Sequence, residues 1–260
     1  MSSDAIDYRA DDCAARLIFR RAADKNGIGA VFLRELGEHL DRAERAADVR
    51  VIVLSAEGEH FSSGMDFREL ASGPDGAERS RRLCDAYASA LQRLRAIPKP
   101  VVAEIRGKVI AGGVGVAAAC DLVFASREAT FALPELLWGL VPAMVLPYLA
   151  RRVGHHQAYR LALTSAPISA EDAHARGLVD ELHAAPEAAV RRMMPRLRRL
   201  DPRAVACLKD YASRVAPIDE RVIELSTRTT ATLIADPDVR RRIDDFVTLN
   251  RLPWDEERGA

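Results

Sequence analysis

Three short stretches hold the residue types and spacings from which a reaction could be built. Arg106 to Asp121 (RGKVIAGGVGVAAACD) sets a glycine turn, Ala111 to Gly115, at the head of an apolar helix with no side chain able to react. The first turn of a helix leaves peptide N–H groups unpaired, and glycines let a ligand oxygen approach them closely. Such a turn can hold an anion or a developing oxyanion through peptide dipoles alone. Phe61 to Phe67 (FSSGMDF) is a second stretch beside a strand, and Phe131 to Leu140 (FALPELLWGL) is a third. Loops at the carboxyl ends of neighbouring strands in an open α/β sheet converge on one crevice, so the first two could offer two N–H donors to one ligand oxygen. Each stretch alone could be only a tight turn. Their coincidence points to an oxyanion hole.

These segments need a scaffold, and the hydrophobic pattern supplies one. Arg16 to Phe19 and Val49 to Ser55 (VRVIVLS) read as short buried strands, and Leu33, Leu36, Leu40, Ala43 and Ala47 repeat between them at helical spacing. Glu78 to Ile97 reads as a helix punctuated by Pro98 and Pro100; the strand Val101 to Ile105, the glycine turn, a helix and the strand Leu122 to Ala125 follow. The alternation predicts an α/β core with mostly parallel pairing. After Phe131 the strands nearly stop. Helical patterns cover Ala143 to Val153, Gln157 to Leu163, Ala170 to Arg176, Pro186 to Leu200, Pro202 to Arg214 and Asp219 to Ala235, with one further short strand at Leu178 to Leu182. The chain is therefore divided into a sheet-containing body, residues 1–190, and a helical tail, residues 191–260. No Gly/Ser linker joins them, so the tail is expected to pack on the body or on a neighbouring subunit.

Composition narrows the function. The 260 residues suffice for one large domain or a domain with an appendage, and Lys plus Arg balance Asp plus Glu at 38 each. Net charge thus gives no reason to expect nucleic acid or an anionic membrane as partner. Cys13, Cys84, Cys120 and Cys207 show no paired C-x-x-C spacing and are expected to be four buried, reduced thiols. No metal spacing joins the six histidines. No apolar run approaches a membrane span, and the polar opening Met1 to Ala10 is unlike a secretory or transit signal, so a soluble cytoplasmic protein is expected.

FSSGMDF resembles the F-x-A-G-x-D loop of the crotonase, or enoyl-CoA hydratase/isomerase, family, and RGKVIAGGVGVAAACDLVFAS resembles its N-G-x-A-x-G-G-G-x-x-L-A-x-x-C-D segment. FALPELLWGLVP continues the likeness, which runs from about Lys25 to Asp180. The resemblance implies a spiral of β-β-α turns with a helical C-terminal domain, assembled as a trimer or a dimer of trimers. It implies a lyase or isomerase acting on a thioester carried on phosphopantetheine, of CoA or an acyl carrier protein, with no other cofactor. The thioester carbonyl would be polarised by the N–H groups matching Met65 and Gly112. Hydratases of the family use two glutamates; the first position falls on Gly115, which has no side chain, and the second on Glu135. Lys25 and Asn26 lie at the family's lead-in to the first helix, which meets the nucleotide end of the carrier.

Where common hydratases carry P-G-x-G-G-T-Q-R-L, this chain has Pro142 to Leu149 (PAMVLPYL), which is apolar and bulkier. That segment, RGKV-x-AGG-x-G and the ending FVTLNRLPW resemble one subgroup, the dehydratases of polyketide β-branching cassettes. The resemblance implies dehydration of a hydroxymethylglutaryl group on an acyl carrier protein. Such a reaction needs an acidified α proton, a protonated leaving hydroxyl and a site for the distal carboxylate. A lone Glu135 could first take the α proton and then return it to the departing hydroxyl. Lys108 and Arg68 are candidates for the distal carboxylate, Asp66 is better suited to capping the helix at Phe67, and Arg151 and Arg152 could meet an acidic carrier surface. Rival readings are the companion methylglutaconyl decarboxylase, a general enoyl-CoA hydratase or isomerase, and a thioester-binding scaffold without turnover.

Overall fold

The computed structural model describes residues 5–70 and 76–255. The first four residues of the acidic opening and the last five of the tail lie outside that range. Among the described residues the strands are β1 (Ile6–Asp11), β2 (Ala14–Phe19), β3 (Val51–Ala56), β4 (His60–Ser62), β5 (Val101–Ile105), β6 (Lys108–Ile110), β7 (Leu122–Ala125), β8 (Thr130–Ala132), β9 (Ile168–Ser169) and β10 (Glu181–Leu182). The helices are α1 (Ala30–Arg45), α2 (Phe67–Leu70), α3 (Gly76–Ala96), α4 (Gly112–Ala119), α5 (Leu146–Val153) and α6 (His155–Thr164). They continue with α7 (Ala170–Ala175), α8 (Pro186–Leu197), α9 (Pro202–Val215), α10 (Glu220–Ala235) and α11 (Pro237–Leu249).

The larger sheet has the order β1-β2-β3-β5-β7-β10 and the smaller one β4-β6-β8-β9. Pairing is parallel throughout except for β1 with β2 and β8 with β9. The chain repeats one move: a strand of the large sheet, a short strand of the small sheet, then a helix, as in β3-β4-α3 and β5-β6-α4. This is the β-β-α spiral implied by the sequence resemblance. Its physical basis is burial: the first four residues of β3 are sealed, and all eight residues of α4 are buried. Strands covered on both faces read as continuous apolar runs, which is why VIVL and VVA stand out in the sequence.

Five features differ from the sequence expectations. β1, absent from the expected strands, forms a hairpin with β2 across Asp12 and Cys13, both at positive φ (43° and 65°). The short strands of the second sheet have two or three residues, too few to carry a period-two signal. The expected helix from Ala143 begins only at Leu146, because turns fill the preceding residues, and α11 was not among the expected helices. Of the four cysteines, Cys84 and Cys120 are buried, but Cys13 sits in the hairpin turn and Cys207 on α9, both exposed.

Beyond the sheets, α8 crosses residue 190 and lays Ala189, Val190, Met194 and Leu197 against Val51, Val53, Val102 and Phe124 of the large sheet. α10 lies along α3, while α11 packs on α2 and on the 3-10 turn Glu135–Trp138. The tail is thus seated on the body, at the mouth of the crevice between the sheets. No helix among the described residues is long and apolar enough to cross a membrane.

Candidate active site

The two glycine-bearing segments meet backbone to backbone. Gly64 has φ of 85°, and a Cβ there would stand 2.7 Å from Ala111 Cβ and 2.9 Å from Gly112 N. Only glycine fits both the conformation and the space. A ladder of bonds holds the first segment: Ser63 N–H donates to Lys25 C=O (3.0 Å), Ile28 N–H to Gly64 C=O (2.8 Å) and Asp66 N–H to Ile28 C=O (3.0 Å). Asn26, fully buried, fastens the neighbouring loop by donating from Nδ2 to the carbonyls of Glu57 (2.9 Å) and His60 (2.7 Å). The second segment is turned by Ala111, at φ 51° and ψ −121°. A residue with a Cβ adopts that region only under strain of about 1–3 kcal/mol. Neither Met65 N–H nor Gly112 N–H has an acceptor among the described residues, and both residues line one cavity of about 520 Å³.

Glu135 opens the 3-10 turn after β8 and is on the wall of the same cavity. The residue as a whole is half-buried, but its Oε2 is sealed from solvent and makes no hydrogen bond. Burial pushes its carboxyl up to about 8, offset in part by its own backbone N–H. The other two carboxylates on the wall are committed. Arg68 donates from Nε and Nη2 to Asp66 (2.9 and 2.7 Å) and from Nη1 to Asp24 (2.6 Å). The bond from Arg68, together with the two from Arg21, holds the Asp24 carboxyl below its ordinary range. Asp66 Oδ1 also accepts from Arg68 N–H (3.0 Å), capping α2 as its position suggests.

The other sequence candidates are spread more widely. Lys25 is exposed at the cavity edge. Lys108 is exposed on β6 and is not part of the cavity wall; its charge, after burial, helps lower the pKa of His60. Arg152 pairs with Asp180 at 2.7 Å, while Arg151 remains exposed. The bulky segment does what its composition suggests, since Pro142, Ala143, Met144 and Val145 line the cavity.

Two groups of wall residues escape a reading by segment. Tyr87 of α3 is 1% exposed and donates its hydroxyl to Gly112 C=O at 2.6 Å. In the sequence it belongs to the apolar stripe Leu83, Cys84, Tyr87, Leu91 and Leu94, where its polar tip is the one signal of a special role. The other group is aromatic: Phe67, Trp138, Phe246 and Trp254 touch edge to face at centroid distances of 5.0 to 6.2 Å. They close the apolar side of the cavity with rings from α2, the 3-10 turn, α11 and the segment after it.

A two-sheet spiral in which the backbone of two glycine segments faces a sealed glutamic acid is the architecture of the crotonases. A family model for enoyl-CoA hydratase/isomerase matches residues 11–257, and the chain belongs to that family. It is a lyase of the crotonase type, acting on acyl thioesters. Among its relatives is the bacillaene synthase dehydratase PksH of Bacillus subtilis, 30% identical over 241 residues that make up 93% of each chain. Hydroxycinnamoyl-CoA hydratase-lyase of Pseudomonas fluorescens is 33% identical over 177 residues, 66% of this chain and 63% of that one. The crystal structure of the Bacillus subtilis polyketide biosynthesis enoyl-CoA hydratase pksH superimposes with a TM-score of 0.87 at 29% identity, covering 96% of this chain and 99% of the other.

Proposed function

We propose that the chain dehydrates a 3-hydroxy-3-methylglutaryl group on an acyl carrier protein to the 3-methylglutaconyl thioester, a step of polyketide β-branching in the cytoplasm. The observation that carries this reading is the single uncommitted carboxyl: Glu135 has no cation or hydrogen-bond partner for Oε2, while Asp24 and Asp66 share Arg68. Met65 and Gly112 N–H hold the thioester oxygen as an oxyanion. Glu135, ionised, takes the proton from C2 to give the enolate. Now neutral, it returns that proton to the 3-hydroxyl; the C3–O bond breaks, water leaves, and the enolate electrons become the C2–C3 double bond. An acid that titrates near 8 can run both halves of this cycle close to neutral pH. A tertiary hydroxyl leaves readily, so one carboxyl suffices. The substrate's phosphopantetheine arm is the one prosthetic group required, and the likeness to a polyketide dehydratase supports a carrier protein as its bearer.

The pairing of Arg68 favours a second reading, hydration or dehydration of an acyl-CoA without a distal carboxylate, because a substrate carboxylate would have to compete with Asp24 and Asp66. Mass spectrometry of the acyl group after incubation with hydroxymethylglutaryl carrier protein decides between them. Loss of one water, abolished in Glu135→Gln, supports the dehydratase. Loss of water and carbon dioxide supports a decarboxylase, and an unchanged mass alongside turnover of an uncharged 3-hydroxyacyl-CoA supports the second reading. Leu208, Tyr211 and Val215 are exposed on α9, which has no buried residue, and they support assembly as a homotrimer or hexamer. Light scattering that returns a monomer at micromolar concentration would exclude it.

A further inference from the structure

The place a second acid would occupy is filled. A Cβ built on Gly115 falls 2.2 Å from Tyr87 Oη and 3.4 Å from Tyr87 Cζ, with Val145 Cγ2 at 3.1 Å on the other side. Any side chain at position 115 would therefore have to enter the volume that the phenol holds. Tyr87 shares the cavity wall with Glu135, and its hydroxyl is aligned by the 2.6 Å bond it donates to Gly112 C=O. Its single proton is used in that bond, so what the oxygen has left to offer a substrate is lone pairs. Burial holds the phenol well above its ordinary value, with the Glu135 charge adding to the effect. It therefore stays neutral across the working range and cannot act as a base.

We propose that Tyr87 is the residue that positions the leaving hydroxyl: its oxygen accepts the hydrogen bond of the substrate's 3-hydroxyl and so turns that hydroxyl's lone pair toward protonated Glu135. The assignment rests on the dehydratase reading for its chemistry, but its geometry concerns any 3-hydroxyacyl thioester in this cavity. A hydroxyl that donates its hydrogen bond to Tyr87 presents a lone pair as the point where Glu135 delivers a proton, and water departs. Tyr87 thus does the orienting part of what a second glutamate does in a two-acid site, and it leaves all proton transfer to Glu135.

A binding experiment separates this assignment from the reading it rests on. In Glu135→Gln protein, which blocks turnover, 3-hydroxy-3-methylbutyryl-CoA and 3-methylbutyryl-CoA are titrated by calorimetry, then again in Glu135→Gln/Tyr87→Phe. The expected result is a preference of about tenfold for the hydroxyacyl-CoA with Tyr87 in place that disappears in the Tyr87→Phe background, as loss of one hydrogen bond implies. Equal affinities with Tyr87 present, or an equal preference in both proteins, would overturn the assignment. So would a loss of affinity of the same size for both ligands, since that marks Tyr87 as a prop for Gly112 alone. A second measurement uses active protein: Tyr87→Phe is expected to keep exchange of the C2 proton with D2O while losing about a hundredfold in dehydration kcat, with KM little changed. Failure of hydroxymethylglutaryl dehydration in the wild-type protein would refute the substrate reading and leave the binding result to stand on its own.

Discussion

Gly115→Ala, combined with Tyr87→Phe, tests the packing on which the site depends. In the wild-type background the new Cβ lies 2.2 Å from the buried Tyr87 hydroxyl, so the ring must retreat by about 1 Å to reach ordinary contact. That motion pulls the hydroxyl from Gly112 C=O, and a buried hydroxyl left without its acceptor costs about 1–3 kcal/mol. Crowding adds about 1–3 kcal/mol, while the helix preference of alanine over glycine returns about 1 kcal/mol. Gly115→Ala alone is therefore expected to destabilise by about 3 kcal/mol. Once Tyr87→Phe has removed the hydroxyl, the nearest contacts become the ring carbon at 3.4 Å and Val145 at 3.1 Å, and the same substitution is expected to be close to neutral. Urea midpoints of the four proteins, taken at one protein concentration so that assembly contributes equally, give the coupling directly. A coupling energy near 3 kcal/mol is expected; effects that add to within about 0.5 kcal/mol would refute the steric reasoning.

Further outcomes follow from the same site. Glu135 keeps its proton in the folded protein up to about pH 8, whereas the unfolded carboxyl releases it near 4.5. Between those values the folded state binds more protons, so wild-type stability should fall as pH rises and level off above 8. Glu135→Gln should remove that slope and melt higher than wild type at pH 9 but not at pH 4; an unchanged difference at the two pH values would argue against a sealed acid. Ala111→Gly relieves a positive-φ strain and is expected to raise stability by about 1 kcal/mol while lowering kcat, because the peptide that carries Gly112 N–H becomes looser. Thermal melts and steady-state rates measured on the same preparation check both signs. Gly64→Ala drives a Cβ into Ala111 and Gly112 N, and it should abolish thioester binding in calorimetry together with a loss of stability.

Much of this site is legible in the sequence because its parts are local. The glycine turn, FSSGMDF and Glu135 each sit within a few residues of a strand end, and a parallel sheet brings such ends together without further information. Gly115 is legible as an absence. What packs against it is not, since Tyr87 is 28 positions away in another helix and its stripe reads as ordinary core. Arg68 is misleading for a related reason: the sequence supplies the cation, and only the fold reveals that Asp24 and Asp66 neutralise it. The strands of the small sheet escape notice because two or three residues, paired with partners far along the chain, leave no periodic trace.

The ring wall has a consequence for biosynthesis. Phe67 and Trp138 belong to the first half or so of the chain, but Phe246 and Trp254 come near its end. A ribosome delivers both glycine segments, Tyr87 and Glu135 more than a hundred residues before the last two rings emerge. Until Phe246 and Trp254 are in place, the apolar side of the cavity lacks two of its four rings. Among the described residues, α11 and the segment after it supply those rings, so a chain cut before Phe246 is expected to hold a thioester in a wetter, more open cavity.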